Sequence, residues 1–541
     1  MTTSIPLKID EFDNKLDKDD LILIGDSLID QKGLISHHLE SANNFYRNGI
    51  KQIITEGFKT ERELINKRNI TPEDQEIERI FCKVTYTDVQ LRPPTMMQFL
   101  TSKETLLYPK VALTREQTYS GSLLISCEVK AIAYLKDGTS KERVDQSVKS
   151  FKICSLPIIK GSIMCNTYNK SREALVQMGE DPMDPGGYFI VKGGEWAVDC
   201  TENMLFNQAK IYINEGYGKS RVRCEYMSKP GDTYQNSDYT LIRFSRDNTI
   251  TIEIARNELN EVQIPFFIIF RALGWNSDKD MIDWIVLDYE NDANKSIFNY
   301  TVDGINANYG NKQYRDTYDS YECLKMIVDA IPEEKIAYYK LKENPDNMHN
   351  ATNLVLKIFD THCLPHIGMT PASRHEKLKF LALLIRKTLQ VYLRYIPQTD
   401  RDSYRNKRIH AAGSNYAKSF KTYFNQAVVL PIKRRILKDF GSASFSQVNL
   451  ANMVKSAIYA DDFERLIVQT ITSGNRAYLK MKKTNIVNRL NTQLLNRKNQ
   501  LNVLATMRQV SATSADSAKQ SERASEMRRV HMSSIGYICV V

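Results

Sequence analysis

Several familiar signatures are missing from this 541-residue chain, and each absence removes a class of function. There is no apolar run of about eighteen residues or more, so no membrane-spanning helix is expected. The first twenty residues, MTTSIPLKIDEFDNKLDKDD, are acidic and lack the apolar core of a signal peptide, which points to a protein that stays inside a cell or a virus factory. Nine cysteines are scattered without a C-x-x-C pair, which argues against a zinc ribbon; in a reducing compartment they read as small buried apolar residues. No P-loop, G-x-G-x-x-G or G-x-S-x-G is present, and His375-Glu376 lacks the second histidine of an H-E-x-x-H zinc motif. No fixed-period repeat is visible.

Acidic residues are also missing, but only locally. From Arg465 to Ala515 there are nine Lys or Arg and no Asp or Glu. From Thr370 to Val541 there are 30 basic and 10 acidic residues, whereas the first 369 hold 44 and 54. A half-chain this basic faces a polyanion, an anionic membrane or an acidic partner, or is simply a solvated face. The last residues, IGYICVV, read as a strand that stops without a turn, as expected of a piece of something larger.

What is present reads as a multidomain α+β protein, mixed sheets with packed helices, because so long a chain exceeds one hydrophobic core. Two early helices are predicted near Asp26–Gly49, with Leu28, Leu34, Leu39 and Phe45 as core candidates, and near Thr60–Arg68. FCKVTYTDVQLRPP alternates as a half-buried strand that Pro93-Pro94 closes. TYSGSLLISCEVKAIAYLKDGT reads as two strands ending in an Asp137-Gly138 turn, and VKSFKICSLPIIKGSIMCN as another β segment. Asp184-Pro185-Gly186-Gly187 predicts a tight turn and Gly193-Gly194 a hairpin. Neither pair reads as a phosphate cradle, since no helix start with Lys or Ser/Thr follows. Residues 210–370 predict a module of short strands, KIYINEG, SRVRCEYMS, DYTLIRFS and TITIEIA, followed by apolar and helical text. Ser373 to Ile396 predicts a helix with a Ser373/Glu376 capping box and an apolar face of Leu378, Leu381, Ile385, Leu389 and Tyr392. Asp400 and Asp402 are the one tempting magnesium pair, although Arg401, Arg405, Lys407 and Arg408 make local ion pairing the simpler reading.

Six segments, in order, resemble the second-largest, β-type subunit of multisubunit DNA-directed RNA polymerases. ICSLPIIKGSIMCN is similar to that family's KIPIMLRSKFC motif, and DPGGYFIVKGGEWAVDCTEN to DPGGYFIINGSEKVLIAQE. IPFFIIFRALGWNSDKDMIDWI resembles IPIIIVFRALGIVSDRDILE. LPHIG, the helix after it and DRDSYRNKRIHAAG resemble the family's LPHI and DDRDHYGNKRLDLAG segments. SGN, NVLATMRQVSA and RRVHMSSIGYICVV resemble its fork. Eukaryotic, archaeal and large-DNA-virus versions are resembled most.

The resemblance implies a protrusion at 1–209 and 373–470, a lobe inserted at 210–372, and a fork at 471–541 truncated at its C-terminal end. It implies a polymerase subunit, active only in the assembled nucleotidyltransferase, that lines the DNA cleft and holds the melted template and the RNA–DNA hybrid. Nucleic-acid contacts are implied for Arg476, Lys480, Arg497, Lys498, Arg508, Arg523, Arg528 and Arg529, with no catalytic residue and no metal ligand in this chain. The Ser/Ala/Thr stretch 511–521 would be a fork loop. Partners would be the largest subunit, which carries the magnesium-holding aspartates, the other subunits, template DNA and hybrid, with no membrane. The location would be the nucleus, or a cytoplasmic virus factory or virion. The PAETPEG signature would follow Val541 and is absent, as are the hybrid-binding domain and the zinc-binding clamp; Arg405 stands where most relatives have glycine, and Trp196-Ala197 replaces a more polar pair. A split gene product and an incomplete sequence both fit. The alternatives are a standalone nucleic-acid-binding protein derived from this subunit and a metal nuclease built on Asp400 and Asp402.

Overall fold

The computed structural model describes residues 18–58, 60–65, 76–97, 104–214, 220–231, 234, 237–254, 259, 261–307, 317–332, 345–400, 403–473 and 492–512. They form two compact units, one from residues up to Asn203 together with those from Ile409 onward, the other from Met204 to Arg408.

The first unit is built on a long antiparallel sheet. Its strands are β1 (Thr60–Ile65), β2 (Ile77–Met97), β3 (Glu104–Leu106), β4 (Ser120–Leu135) and β5 (Ser140–Pro157), in the order β1-β2-β4-β5 with β3 on β2. The stretch expected to hold two strands is the single strand β4, in which Leu123, Ile125, Cys127, Val129, Ala131, Ala133 and Leu135 are all buried. An unbroken two-residue period gives such a segment no reason to turn. Thr60–Ile65, expected to be helical, pairs instead with β2 from Thr60 opposite Val84 to Ile65 opposite Arg79, so sheet partners override local preference. Pro93-Pro94 does not close β2; the strand runs through it with a register shift between Leu91 and Pro94, the irregular setting that tolerates a missing N–H. The Asp137-Gly138 turn forms as expected, with Gly138 at φ +86 and the Thr139 amide donating to Asp137 Oδ1 at 2.9 Å.

Three short strands follow, β6 (Phe189–Val191), β7 (Gly194–Val198) and β8 (Cys200–Met204). The β6–β7 hairpin turns at Lys192 and Gly193, both at positive φ, as the Gly193-Gly194 pair predicts. Helices Ser36–Asn44 and Ile50–Thr55, joined by a π turn, carry Phe45 into a ring cluster with Tyr416 and Phe420 of helix Ala412–Phe424. Among the expected core residues Phe45 is fully buried, whereas Leu34 is 36% exposed. A Cβ on Gly413 would lie 2.2 Å from the Ser41 carbonyl oxygen, so the two helices touch backbone to backbone there.

The second unit centres on five antiparallel strands, β9 (Ala209–Ile213), β10 (Ser220–Ser228), β11 (Asp238–Ser245), β12 (Ile250–Ile254) and β13 (Ile264–Pro265), ordered β13-β12-β11-β10-β9. Helices Phe266–Ala272, Asp278–Val286, Asp292–Asn306, Ser320–Asp329, Pro345–His362 and Arg374–Tyr392 complete it. The last of these buries Leu378, Leu381, Ile385 and Leu389 in one core with Ile211, Val222 and Phe244. Compact packing takes this unit from Met204 to Arg408. The expected capping box is not formed: Ser373 is already in a helical turn and its hydroxyl donates to the Thr370 carbonyl at 2.7 Å, while Glu376 pairs with Lys379 at 2.9 Å.

A short strand, β14 (Lys407–His410), lies between the units in sequence; helices Leu430–Ser442, Leu450–Ala457 and Ala460–Ser473, β15 (Thr492–Leu494), a helix at Gln500–Arg508 and β16 (Val510–Ala512) belong to the first unit. The eight described cysteines are all buried and free. Among the described residues no helix is long and apolar enough to cross a membrane.

Candidate nucleic-acid interface

The described residues 492–512 of the acid-free run, whose first residues 465–473 lie in helix Ala460–Ser473, are sewn onto the first unit along their length. β15 pairs antiparallel with β7, and the Gln493 amide nitrogen donates to both carboxylate oxygens of Asp199 at 3.1 and 3.0 Å. Asn499 caps the following helix by accepting from the Asn502 amide at 2.6 Å. β16 lies parallel to β8, with Val510 opposite Cys200. The DPGG turn is the seat for the helix. Gly186 and Gly187 sit at φ +70 and +83, and a Cβ on Gly187 would meet Met507 Cε at 2.8 Å and Ile35 Cδ1 at 2.9 Å.

Arg497 occupies a cluster of carboxylates. Its Nη2 donates to Asp184 at 3.0 Å, to Glu195 at 2.8 Å and to the Tyr188 hydroxyl at 2.8 Å, while Nε donates to the other oxygen of Glu195. Behind it Lys160, largely buried, contacts Asp184 at 3.0 Å and Glu180 at 3.1 Å. Burial opposes ionisation of Asp184, yet Lys160, the Tyr188 hydroxyl, the Gly186 amide and Arg497 together hold its carboxyl below the usual range. The hydrogen bonds to Glu195 push Arg497 further above its already high value. Two cations thus face three carboxylates in one network. Sequence spacing could not find it, because Arg497 lies 313 positions from Asp184.

The other predicted cations divide sharply. Lys498 is exposed and, among the described residues, makes no ion pair. Arg508 ends its helix half-buried, donating to the Leu34 carbonyl at 2.6 Å. Arg476, Lys480, Arg523, Arg528 and Arg529 lie outside the described residues, as does the Ser/Ala/Thr stretch beyond Ala512. Asp402 also lies outside them, and the Asp400 carbonyl accepts from Asn406 Nδ2 at 2.6 Å.

His38 is a second feature hidden from sequence reading. Its Nδ1 accepts from the Ala412 amide at 3.1 Å and its Nε2 donates to the Met507 carbonyl at 2.6 Å. An amide can only donate and a carbonyl only accept, so the ring is held neutral in one tautomer. Burial, the neighbouring His37 and Arg508 lower its pKa to about 4, against the pull of the Met507 carbonyl. His37, His38 and Cys200 bring three potential metal-ligating atoms within 4.8 Å of one another. They do not fit a metal: both His38 nitrogens are committed to the backbone, and burial pushes the Cys200 thiol up to about 12.

Comparison with known proteins places the chain in a family. The family model described as RNA polymerase beta subunit matches residues 33–460, and that described as RNA polymerase Rpb2, domain 3, matches residues 493–541. DNA-directed RNA polymerase subunit Rpo2 of Sulfolobus acidocaldarius is 26% identical over 527 residues, covering 97% of this chain and 40% of that protein. DNA-directed RNA polymerase II subunit 2 of Arabidopsis thaliana is 24% identical over 543 residues, covering 98% and 42%. Subunit Rpo2N of Methanothermobacter thermautotrophicus is 25% identical over 535 residues, covering 95% and 89%. The chain therefore spans about two-fifths of the first two relatives and most of the third. With most of its length matched, the chain belongs to the RNA polymerase beta-subunit family, in which it corresponds to the N-terminal part of the second-largest subunit.

Proposed function

We propose that this chain works as part of a DNA-directed RNA polymerase, lining the cleft and holding the melted template and the RNA–DNA hybrid. The observation that carries the reading is the pairing of family membership with an acid-free run, nine Lys or Arg from Arg465 to Ala515, in which Thr492–Leu494 pairs with β7 of the first unit. In this reading residues 1–209 and 373–470 are the protrusion, 210–372 the lobe and 471–541 the fork. The assembly includes the largest subunit, whose aspartates hold the catalytic magnesium, and works wherever its template lies, in a nucleus or a virus factory. No residue of this chain performs the transfer.

The chemistry required of the chain is sequence-blind grip. Each Lys or Arg that neutralises a phosphate releases counterion and steepens the salt dependence by roughly 0.9 on duplex and about 0.7 on single strands. Arg497 has a different task, because its guanidinium is engaged by Asp184, Glu195 and Tyr188. It sets the position of Lys498 and of the helix ending at Arg508, so that exposed cations meet the polyanion from a fixed frame. Arg508→Ala combined with Arg523→Ala tests the reading in the assembled enzyme. Both the lifetime of the melted complex and its salt slope should fall, the slope by about 1.4 for two single-strand contacts. An unchanged lifetime and slope would remove both residues from the interface.

A further inference from the structure

The second unit ends helix Asp278–Val286 in a conformation that its sequence resists. Leu287 sits at φ +64, ψ −47, and the Asp288 amide donates back to the Val286 carbonyl at 2.9 Å, closing a three-residue γ-turn. A leucine is disfavoured there, since its Cβ crowds the backbone. The turn is bolted from behind. Arg386 donates to the carbonyls of Ile285 and Val286 and, at 3.1 Å, to Asn294 Oδ1, while Asn294 Nδ2 donates to the Asp288 carbonyl at 2.7 Å.

What the turn achieves is display. Leu287 and Tyr289 are each 50% exposed and Phe298 is 37% exposed, with the two rings in edge contact at 6.1 Å. The sequence from Asp278 to Asp303 holds seven Asp or Glu and two Lys; Asp278 pairs with Arg271 at 2.7 Å and Arg386 lies behind the turn, which leaves the acidic character to the exposed residues at the tip. Asp288, Glu290 and Asp292 are all exposed, and one of the lysines, Lys295, already pairs with Asp292 at 2.6 Å.

We propose that this tip is a docking surface for a basic polypeptide segment that inserts one or two apolar side chains beside Leu287 and Tyr289. The charge decides the class of occupant. A carboxylate-rich rim repels phosphate, so nucleic acid and anionic lipid are disfavoured, whereas Lys or Arg flanking an apolar anchor finds both halves of its complement. The small apolar area suits a short segment rather than a broad globular face. The surface lies outside the template-binding segment and stands whether or not that assignment holds.

The test is site-specific photocross-linking in the full chain within its native complex, with p-benzoylphenylalanine at Tyr289 and, as a control, at Tyr321, which is 44% exposed in the same unit. The expected result is a cross-link from Tyr289 to one protein segment whose mapped sequence places Lys or Arg around an apolar residue. Leu287→Gly should weaken it by about tenfold or more, as loss of an anchoring contact does. Glycine accepts positive φ, so this variant should melt no lower than the parent and misfolding cannot explain the loss. Asp288→Asn with Glu290→Gln should weaken the cross-link as well. A yield no higher than from Tyr321, a cross-link to nucleic acid or to a second copy of the chain, or indifference to Leu287→Gly would overturn the proposal.

Discussion

Acidification should loosen the first unit through one residue. His38 is neutral in the fold, with a pKa lowered from 6.5 to about 4 chiefly by burial. Between those values the unfolded chain takes up a proton that the folded chain refuses. The stability contribution is therefore complete above about pH 6.5 and is lost as pH falls towards 4. At about 1.4 kcal/mol per pH unit, the loss amounts to about 2 kcal/mol by pH 5 and roughly 3 kcal/mol below pH 4. The consequence is local, because protonated Nδ1 can no longer accept from the Ala412 amide. Urea unfolding of the purified chain at half-unit steps from pH 7.5 to 4.5 measures it. His38→Gln can keep a donor for the Met507 carbonyl but places no acceptor at the Nδ1 position facing the Ala412 amide; it should be less stable at pH 7 by about 1–3 kcal/mol. Its stability should also be flatter with pH, and the difference between the two profiles isolates His38 from other titrating groups. Parallel profiles would show that the ring is not held neutral by these two backbone contacts.

Asp184→Ala should destabilise the first unit by about 3–5 kcal/mol, because it leaves Lys160 buried beside a halved set of partners; chemical unfolding checks this. Arg497→Ala should unfold residues 492–512 locally, read as faster amide exchange there, and nucleic-acid binding should weaken together with that loss of order. A lower salt slope with unchanged exchange would make Arg497 a direct contact. Gly413→Ala should cost at least about 3 kcal/mol in thermal unfolding, since its Cβ would sit 2.2 Å from the Ser41 carbonyl and backbone must move.

Much of the second unit was legible because its signals are local. Four short alternating strands separated by Gly, Asp and Asn appear as β9 to β12, and the apolar stripe of Arg374–Tyr392 points into the core. The first unit hid more. Thr60–Ile65 reads as helix until β2 is beside it, and Pro93-Pro94 looks like an end until the bulge is seen. The basic run was legible as a polyanion face in composition, but composition treats Arg497 and Lys498 alike. Only the fold distinguishes them, by bringing Asp184 and Glu195 to Arg497 and leaving Lys498 in solvent. The His38 contacts are equally remote, joining position 38 to 412 and 507.

Fractionation of the native source can follow two readouts, the chain itself and promoter-independent RNA synthesis on a nicked DNA template. Both should elute together through successive columns at high salt, along with a larger subunit, and depleting the chain should remove the synthesis. A chain that elutes alone, with RNA synthesis undiminished in fractions that lack it, would contradict its place in a polymerase.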